Sequence, residues 1–482
     1  MSEVLSRREF LGTTAMGAGA MLLAWHAAGR VAMAAGSDGW PELPAGRVHV
    51  AFVGKRGAAW PLPQFDVKAE AARYEHRLAE AERRFPEFKL VGRDVVQSPA
   101  DAARVAAAIK DADGVLLFHL SLGTLPELQQ IVDAGRPTVI YSPPFSGHEW
   151  MFVVQWQKAG KRVALIPTSD PGEIVQAAAL AAVPGRMARS RLVVVGKPDG
   201  TAAAQSASLV KQKLGVDVAL VGVDRVIEAH RAVDPKAAEA EAEQVWIRAA
   251  KRVLEPTREE IIKSARMFFA MKAIMAAERA QAITVRCLGG IPIDVLGYPC
   301  LGFSRLLDMG YVGACEADMD SSLTMLMFTY AFGVPGFITD PLFDLARNAV
   351  IHAHCTGPTR MDGPRGARAP FTIRTHRDDD KGAALAVEMR VGQRITCAKL
   401  CNLDTMILST GRITEIPDFE DRGCRTQITT EVENARGMLD NWGAGLVDGW
   451  MPQLHRVVFY GDRTAGVHHL SKLMGFRVIE GM

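Results

Sequence analysis

The chain has 482 residues, of which 48% are hydrophobic and 23% are charged, as is typical of a globular protein with about two to four domains. Its 56 Lys and Arg residues nearly balance its 54 Asp and Glu residues, so its charge gives no reason to expect nucleic acid or an anionic membrane surface as a partner. We therefore expect the partner to be a small molecule or another copy of the chain.

The first 35 residues differ in character from the rest. Arg7 and Arg8 precede a weakly hydrophobic stretch and then small residues suited to cleavage after about Ala34 or Ala35. This pattern resembles a twin-arginine export signal. It predicts a signal peptide over residues 1–35, contact with the twin-arginine translocation machinery during export, and a periplasmic or otherwise exported protein. A transmembrane anchor is the alternative, although the apolar run is shorter than the roughly 20 residues a span needs and is interrupted by Gly.

Two regions alternate short apolar runs with amphipathic stretches. Residues 47–165 begin with the apolar run "VHVAFVG" and the helical pattern "KAEAARYEHRLAEAERRF", and residues 166–369 continue in the same way. Such alternation with unbroken apolar strands predicts parallel sheets covered on both faces, which place ligands at the carboxyl ends of their strands. The stretch "VVVGKPDGTAA" lacks GxGxxG and the P-loop Lys-Ser/Thr pair, so a nucleotide site is only a weaker alternative.

The character changes again over residues 370–482. Runs such as "RITCAKLCN" and "CRTQITTEV" are short, rich in β-branched residues and separated by turn residues. The predicted fold is therefore α/β, with two N-terminal parallel-sheet α/β domains (47–165 and 166–369) followed by a mostly antiparallel β domain (370–482).

Three acids stand together in "GACEADMDSSLTMLMFTYAFG", residues 313–333. Asp320, followed by two serines, fits the cap of the helix that begins there. Glu316 and Asp318 read instead as alternate residues of a strand that runs into a loop, which would put both carboxylates on one face. Two like charges beside apolar neighbours are costly unless a cation or a shared proton relieves them.

Other chemistry-bearing residues come from separate segments. Asp294 lies in a loop upstream, "NAVIHAHCTGPTR" holds His352, His354 and Cys355, and His455 stands just before the strand "RVVFYG". Carboxylates with imidazole suit a divalent ion such as Mn²⁺, Mg²⁺ or Zn²⁺. For the two histidines at spacing two, a buried hydrogen-bonding role is the more ordinary alternative to metal binding.

All seven cysteines lie in the C-terminal half. An odd number in an exported chain leaves at least one thiol unpaired unless it pairs between chains. Cys397 and Cys401 have no partner pair with zinc-site spacing, so buried thiols that pack as small apolar residues are favoured over a zinc site. The sequence does not decide whether any of these cysteines form disulfides or how they would pair.

"ACEADMDSSLTMLMFTYAFGVPGFITDP", with "AHCTGP" about twenty residues later and "HRVVFYGD" near the end, resembles the L-fucose isomerase and L-arabinose isomerase superfamily, most of all its fucose-isomerase-like branch. The resemblance implies a manganese ligand at Asp318, completed by an upstream carboxylate and a C-terminal histidine. The nearest candidates are Asp294 and His455. It also implies a homo-oligomer, a trimer or hexamer, whose sites lie between subunits.

The chemistry implied is interconversion of an aldose and a ketose. This reaction needs a base, an acid and a cation that stabilises the enediolate oxygens. The predicted roles are a metal ligand for Asp318, acid/base or further ligands for Glu316 and Asp294, and sugar contacts for His352, His354 and Cys355. Two alternatives stay open: a periplasmic carbohydrate-binding or partner protein without turnover, and a metal-dependent lyase or epimerase on related sugars.

Overall fold

The computed structural model describes residues 39–85, 88–417, 422–442 and 450–481. The predicted signal peptide, residues 1–35, lies outside the described residues. Within them, none of the helices is both long enough and apolar enough to cross a lipid bilayer. The fold described below is that of the unit Glu42–Met482.

The first sheet has five parallel strands in the order β2-β1-β3-β4-β5. Alternate residues of the central strand face two different apolar clusters, with Val115 and Leu117 in one and Leu116 and Phe118 in the other, as expected for a sheet covered on both faces. The strands are β1 Gly46–Val53, β2 Phe88–Val96, β3 Gly114–His119, β4 Thr138–Ser142 and β5 Val163–Pro167. The accompanying helices are Val67–Arg84, Pro99–Ala108, Leu125–Asp133 and Val153–Lys158.

The second region builds another parallel sheet, in the order β10-β9-β6-β7. Its strands, together with the short β8, are β6 Arg191–Val195, β7 Asp217–Val221, β8 Arg252–Val253, β9 Ala282–Val285 and β10 Val312–Ala314. Its helices are Glu173–Ala188, Ala202–Gln205, Ala207–Leu214, Val223–Ala232, Pro235–Glu241, Arg258–Glu278, Ile293–Leu296, Cys300–Asp308 and Met319–Phe332.

The C-terminal region is mostly antiparallel. Its strands are β11 Phe337–Asp344, β12 Ala349–His354, β13 Phe371–Arg374, β14 Ala384–Val387, β15 Arg394–Cys401, β16 Thr405–Glu415, β17 Thr426–Val432, β18 Arg456–Tyr460 and β19 Arg477–Glu480. Neighbouring strands pair in the order β15-β18-β11-β12-β17-β16, and β15 also pairs with β16, which closes these strands into an antiparallel barrel. The parallel β19 extends β16, and β8, β13 and β14 form a separate small sheet. The helices here are Ala435–Asp440, Trp450–Leu454 and Thr464–Met474.

The predicted fold class is confirmed, because two parallel-sheet α/β regions precede a mainly antiparallel one. The predicted start of the β region at residue 370 differs from the structure, since the barrel already contains β11 and β12, which begin at Phe337 and Ala349. The run "FITDPLFD" contains Pro, which weakens the strand signal at this point of the sequence.

The helix Met319–Phe332 is buried along nearly its whole length. It packs against the barrel, where the rings of Phe328 and Phe459 stack with centroids 4.0 Å apart. Its C-terminus is closed by Gly333 in the left-handed conformation that glycine adopts without a steric penalty. Its N-terminus is thereby fixed between the second parallel sheet and the barrel, where the candidate site lies.

Candidate metal centre

A sharp turn brings the acidic segment to the barrel. Strand β10 ends at Ala314, and Glu316 and Ala317 then adopt positive φ angles of 60° and 56°. Two consecutive non-glycine residues in this conformation cost of the order of 1–3 kcal/mol each, a feature that concentrates at functional sites. The predicted strand alternation of Glu316 and Asp318 is therefore wrong, because a left-handed turn places these two carboxylates.

His455 lies between these two acids. Its Nδ1 donates to Oδ2 of Asp318 at 2.9 Å, while its Nε2 lies 3.8 Å from Oε2 of Glu316. An ionised carboxylate only accepts hydrogen bonds, so the proton of the neutral imidazole belongs on Nδ1. Nε2 then presents its lone pair towards Glu316.

Two further side chains from neighbouring barrel strands meet at the same place. Nε2 of His354, the last residue of β12, lies 3.6 Å from Oε1 of Glu316. Oδ1 of Asp340, on β11, lies 3.4 Å from Nε2 of His455. Thr339 of β11 pairs with Arg456 of β18 in the antiparallel register, so the next residues, Asp340 and His455, lie side by side.

Several potential metal-binding atoms of this cluster lack a hydrogen-bond partner among the described residues. Oδ1 of Asp340, both ring nitrogens of His354 and Nε2 of His455 are buried without a hydrogen bond among the described residues. One ligand atom from each of Glu316, His354 and His455 lies within 4.8 Å of the other two. Ligands at about 2.0–2.2 Å from a divalent ion would be about 3–4 Å apart, so these residues fit such an ion after a small contraction. We refer to Glu316, Asp340, His354 and His455 as the candidate metal centre.

The charges around the cluster favour ionised carboxylates. Burial alone raises the pKa of Glu316, but His354 and His455 outweigh it and hold that pKa below its usual value. Burial likewise raises the pKa of Asp318, yet Lys399 and His455 bring it far below its usual value. The site therefore holds anionic oxygen beside imidazole nitrogen, a donor set suited to a hard or borderline divalent cation.

Asp318 takes the capping role that the sequence predicts for Asp320, and neither residue supplies one of the ligand atoms that converge. Asp318 is the helix N-cap, since its Oδ1 accepts from the backbone N–H of Ser321 at 3.0 Å, and the prediction that Asp320 caps the helix is wrong. Asp320 instead accepts from the backbone N–H and the hydroxyl of Thr201 at 2.5 and 2.7 Å. Oδ2 of Asp318 accepts from Lys399, His455 and the Ser321 hydroxyl, so this carboxylate supports the imidazole and is not directed at the centre.

The structure does not bring Asp294 into the candidate metal centre. Its side chain is 83% exposed and lies 3.2 Å from the ammonium of Lys381. The prediction that Asp294 supplies the second carboxylate therefore needs correction, and Asp340 occupies that position. No motif pointed to Asp340 in the sequence. The available signal was an acid directly before Pro341 in a β-rich run soon after the acidic helix.

His352 and Cys355 flank His354 in sequence but have other surroundings. Both ring nitrogens of His352 lie 3.1 Å from threonine hydroxyls, those of Thr339 and Thr430, and burial lowers its pKa to about 3. Cys355 is buried in a small cluster with other thiols and is not part of the group whose ligand atoms converge. Their predicted sugar contacts stay predictions.

All seven cysteines carry free thiols. Cys397 and Cys401 belong to two different apolar clusters, although both lie on β15. Their placement therefore does not favour a zinc site formed by Cys397 and Cys401.

Fold and site together define an α/β protein with a C-terminal antiparallel barrel and a candidate divalent-metal centre made of two carboxylates and two imidazoles. The chain is 24% identical over 244 residues to the sulfoquinovose isomerases of Priestia aryabhattai and Priestia megaterium. The match covers 48% of this chain and 52% of each relative, so the chain spans about half the length of the curated relatives it matches. No protein-family model matches. Over about half of its length, the chain is therefore distantly similar to sugar isomerases.

Proposed function

We propose that the protein is a metal-dependent sugar isomerase that interconverts an aldose and a ketose through an enediolate. The observation that supports this most is the convergence of buried, unpartnered donor atoms from Asp340, His354 and His455 beside the carboxylate of Glu316. Leaving such atoms without partners costs about 1–3 kcal/mol each, which a bound cation would offset. The distant similarity to sugar isomerases agrees with the same chemistry.

The proposed mechanism divides the proton transfers between two carboxylates. A divalent cation would polarise the sugar carbonyl and stabilise negative charge on the enediolate oxygens. Glu316 and Asp340 have side chains that are 15% and 30% exposed, so both can reach a bound sugar. One of them removes the proton from the carbon beside the carbonyl, and the other supplies a proton to the former carbonyl carbon. The hydroxyl proton passes from the oxygen that becomes the carbonyl to the former carbonyl oxygen, so substrate and product are isomers. Asp318 is fully buried and serves to orient His455.

We also propose a substrate class, a metal and an assembly for the protein. The relatives are named for sulfoquinovose, and the sequence resemblance is to enzymes of fucose and arabinose, so we propose a sugar or sugar derivative as the substrate. We propose Mn²⁺ as the metal and a homo-oligomer, a trimer or hexamer, as the assembly, both by the sequence resemblance.

Deuterium exchange tests the reaction directly. The protein with Mn²⁺ is incubated in D₂O with sulfoquinovose, and with fucose and arabinose and their ketose isomers, and the sugars are followed by NMR. The expected result is formation of the isomer of at least one sugar, with deuterium at the carbon beside the carbonyl. Replacing Glu316 by Gln should reduce the rate by about 100-fold or more, as for loss of a catalytic acid or base. A wild-type protein that binds one of these sugars without exchange or conversion would support the carbohydrate-binding alternative.

We also propose export by the twin-arginine pathway, which rests on Arg7 and Arg8 in the N-terminal segment. Replacing both residues by Lys should leave full-length protein in the cytoplasm of the expressing cells, whereas the unchanged chain should reach the periplasm. Equal periplasmic amounts of both proteins would contradict this proposal.

A further inference from the structure

Lys399 is a buried lysine that the isomerase chemistry does not itself require. It lies on β15, and its side chain is 0% exposed. A buried ammonium is costly unless it is paired and hydrogen-bonded. Its Nζ donates to Oδ2 of Asp318 at 2.8 Å and to the backbone carbonyl of Met451 at 3.2 Å.

Both acceptors of Lys399 also hold His455. Oδ2 of Asp318 accepts from Nδ1 of His455 at 2.9 Å. The carbonyl of Met451 accepts from the backbone N–H of His455 at 3.2 Å. One ammonium thus contacts the group that orients the imidazole and the group that fixes the backbone of the same residue.

The strand that carries Lys399 also contacts the helix Met319–Phe332, which Asp318 caps. The backbone N–H of Leu400 donates to the hydroxyl of Thr324 at 2.8 Å. The strand of Lys399 is thus joined to the helix that Asp318 caps by a contact that does not involve the lysine side chain.

We propose that Lys399 is a positioning residue for the candidate metal centre: it holds Asp318 and Met451 so that His455 keeps its proton on Nδ1 and presents Nε2 to Glu316, His354 and Asp340. The inference rests on the proposed function for its metal, although the geometry it assigns to His455 does not. Partners that orient a ligating imidazole typically change metal affinity by about 10- to 100-fold when they are removed.

The first test measures the histidine tautomer without metal. Protein with ¹⁵N-labelled imidazole rings is compared with Lys399→Met, and the His455 signals are identified by their loss in His455→Gln. Met has a similar volume and no charge, so the substitution removes mainly the two ammonium contacts. We expect a protonated Nδ1 and an unprotonated Nε2 in the wild type, and loss of this single tautomer in Lys399→Met. The same tautomer in both proteins would overturn the proposal.

The second test measures Mn²⁺ affinity by titration calorimetry, with Lys381→Met as the matched control. Lys381 also pairs with an aspartate, Asp294, but the pair is exposed, so its removal should change affinity by less than about twofold. Lys399→Met should bind Mn²⁺ about 10- to 100-fold more weakly than the wild type. Unchanged affinity together with an unchanged tautomer would reject the positioning role while the proposed function stands. A wild type that binds no Mn²⁺, with the tautomer still lost in Lys399→Met, would reject the proposed function while the positioning role stands.

If Lys399→Met does not fold, the pair can be removed together. Because Lys399 is proposed to act largely through Asp318, Asp318→Asn and Asp318→Asn/Lys399→Met should have Mn²⁺ affinities and His455 tautomer populations that agree within about twofold. A further tenfold loss of affinity in the double variant would overturn action through Asp318.

Discussion

The carboxylate of Asp318 lies 2.9 Å from Nδ1 of His455, a residue 137 positions further along the chain, and both side chains are fully buried. Asp318 belongs to the cap of a helix that follows a parallel strand, whereas His455 directly precedes the barrel strand β18. The contact therefore connects the α/β part of the chain to the barrel at the candidate metal centre. It also directs the second ring nitrogen towards Glu316.

Removing the charge of Asp340 should weaken Mn²⁺ binding far more than removing the charge of Asp294. Replacing Asp340 by Asn removes a carboxylate next to His455, so we expect Mn²⁺ affinity to fall at least about tenfold. Asp294→Asn changes an exposed side chain outside the centre and should leave affinity within about twofold. Calorimetric titration of both variants measures this difference. Equal losses in the two variants would contradict the assignment of Asp340.

Metal should stabilise the folded protein. An ion that binds only the native state adds about 2.7 kcal/mol at a concentration of 100 times its Kd, which raises the thermal midpoint. We expect Mn²⁺ to raise the midpoint of the wild type and a chelator to reverse the change, as followed by scanning calorimetry. His455→Gln serves as the control and should show no shift over the same range of Mn²⁺. An equal shift in this variant would place the binding elsewhere.

The effect of Asp320 on stability should depend on pH. Burial, with repulsion from Asp318, raises the pKa of Asp320 to about 6 from an ordinary value of 3.8. The pKa of Asp320 is higher in the folded state than in the unfolded state. The carboxyl group's contribution to stability is therefore complete below the unfolded-state pKa and is lost as the pH rises through the folded-state pKa. The advantage of the wild type over Asp320→Asn in free energy of unfolding should therefore be about 1 kcal/mol smaller at pH 7 than at pH 5. Urea unfolding of both proteins at both pH values measures it, and an advantage that grows with pH would contradict the raised pKa.

The stacked rings of Phe328 and Phe459 should be important for stability. Both side chains are fully buried where the helix Met319–Phe332 meets the barrel. Phe459→Ala leaves a cavity and should cost about 3–5 kcal/mol of unfolding free energy in chemical denaturation. Phe145→Ala is the matched control, because Phe145 is 70% exposed and its loss should change stability by no more than about 0.5 kcal/mol. Similar losses in both variants would argue against this contact as a core element.

Much of the architecture could be predicted from the sequence because its signals are local. Apolar runs between amphipathic helices give the parallel sheets, and short β-branched runs give the barrel. The sequence pattern predicts the β region from residue 370, later than the start of β11, because Pro341 weakens the strand signal there. The closure between β15 and β16 depends on pairings that local patterns do not specify.

The sequence predicts only part of the candidate metal centre, because the rest depends on backbone conformation and on strand pairing. The sequence indicates Glu316, His354 and His455 as candidate site residues because acids and imidazoles near apolar runs are conspicuous. It predicts His455 as a metal ligand, Glu316 as an acid/base or further ligand, and His354 as a sugar contact. The sequence does not indicate that Asp318 caps the helix, because the left-handed turn at Glu316 and Ala317 is not recognisable from non-glycine residues. Local patterns do not indicate Asp340, because its proximity to His455 comes from the pairing of β11 with β18, or Lys399, because its partners lie far away in sequence.

We propose that the candidate metal centre binds one divalent cation. The most direct measurement is the stoichiometry of Mn²⁺ binding to the purified full chain, by titration and elemental analysis, beside His455→Gln. We expect about one ion per chain in the wild type and none above background in the variant. A wild type that binds no Mn²⁺, Mg²⁺ or Zn²⁺ and remains folded after chelation would contradict it.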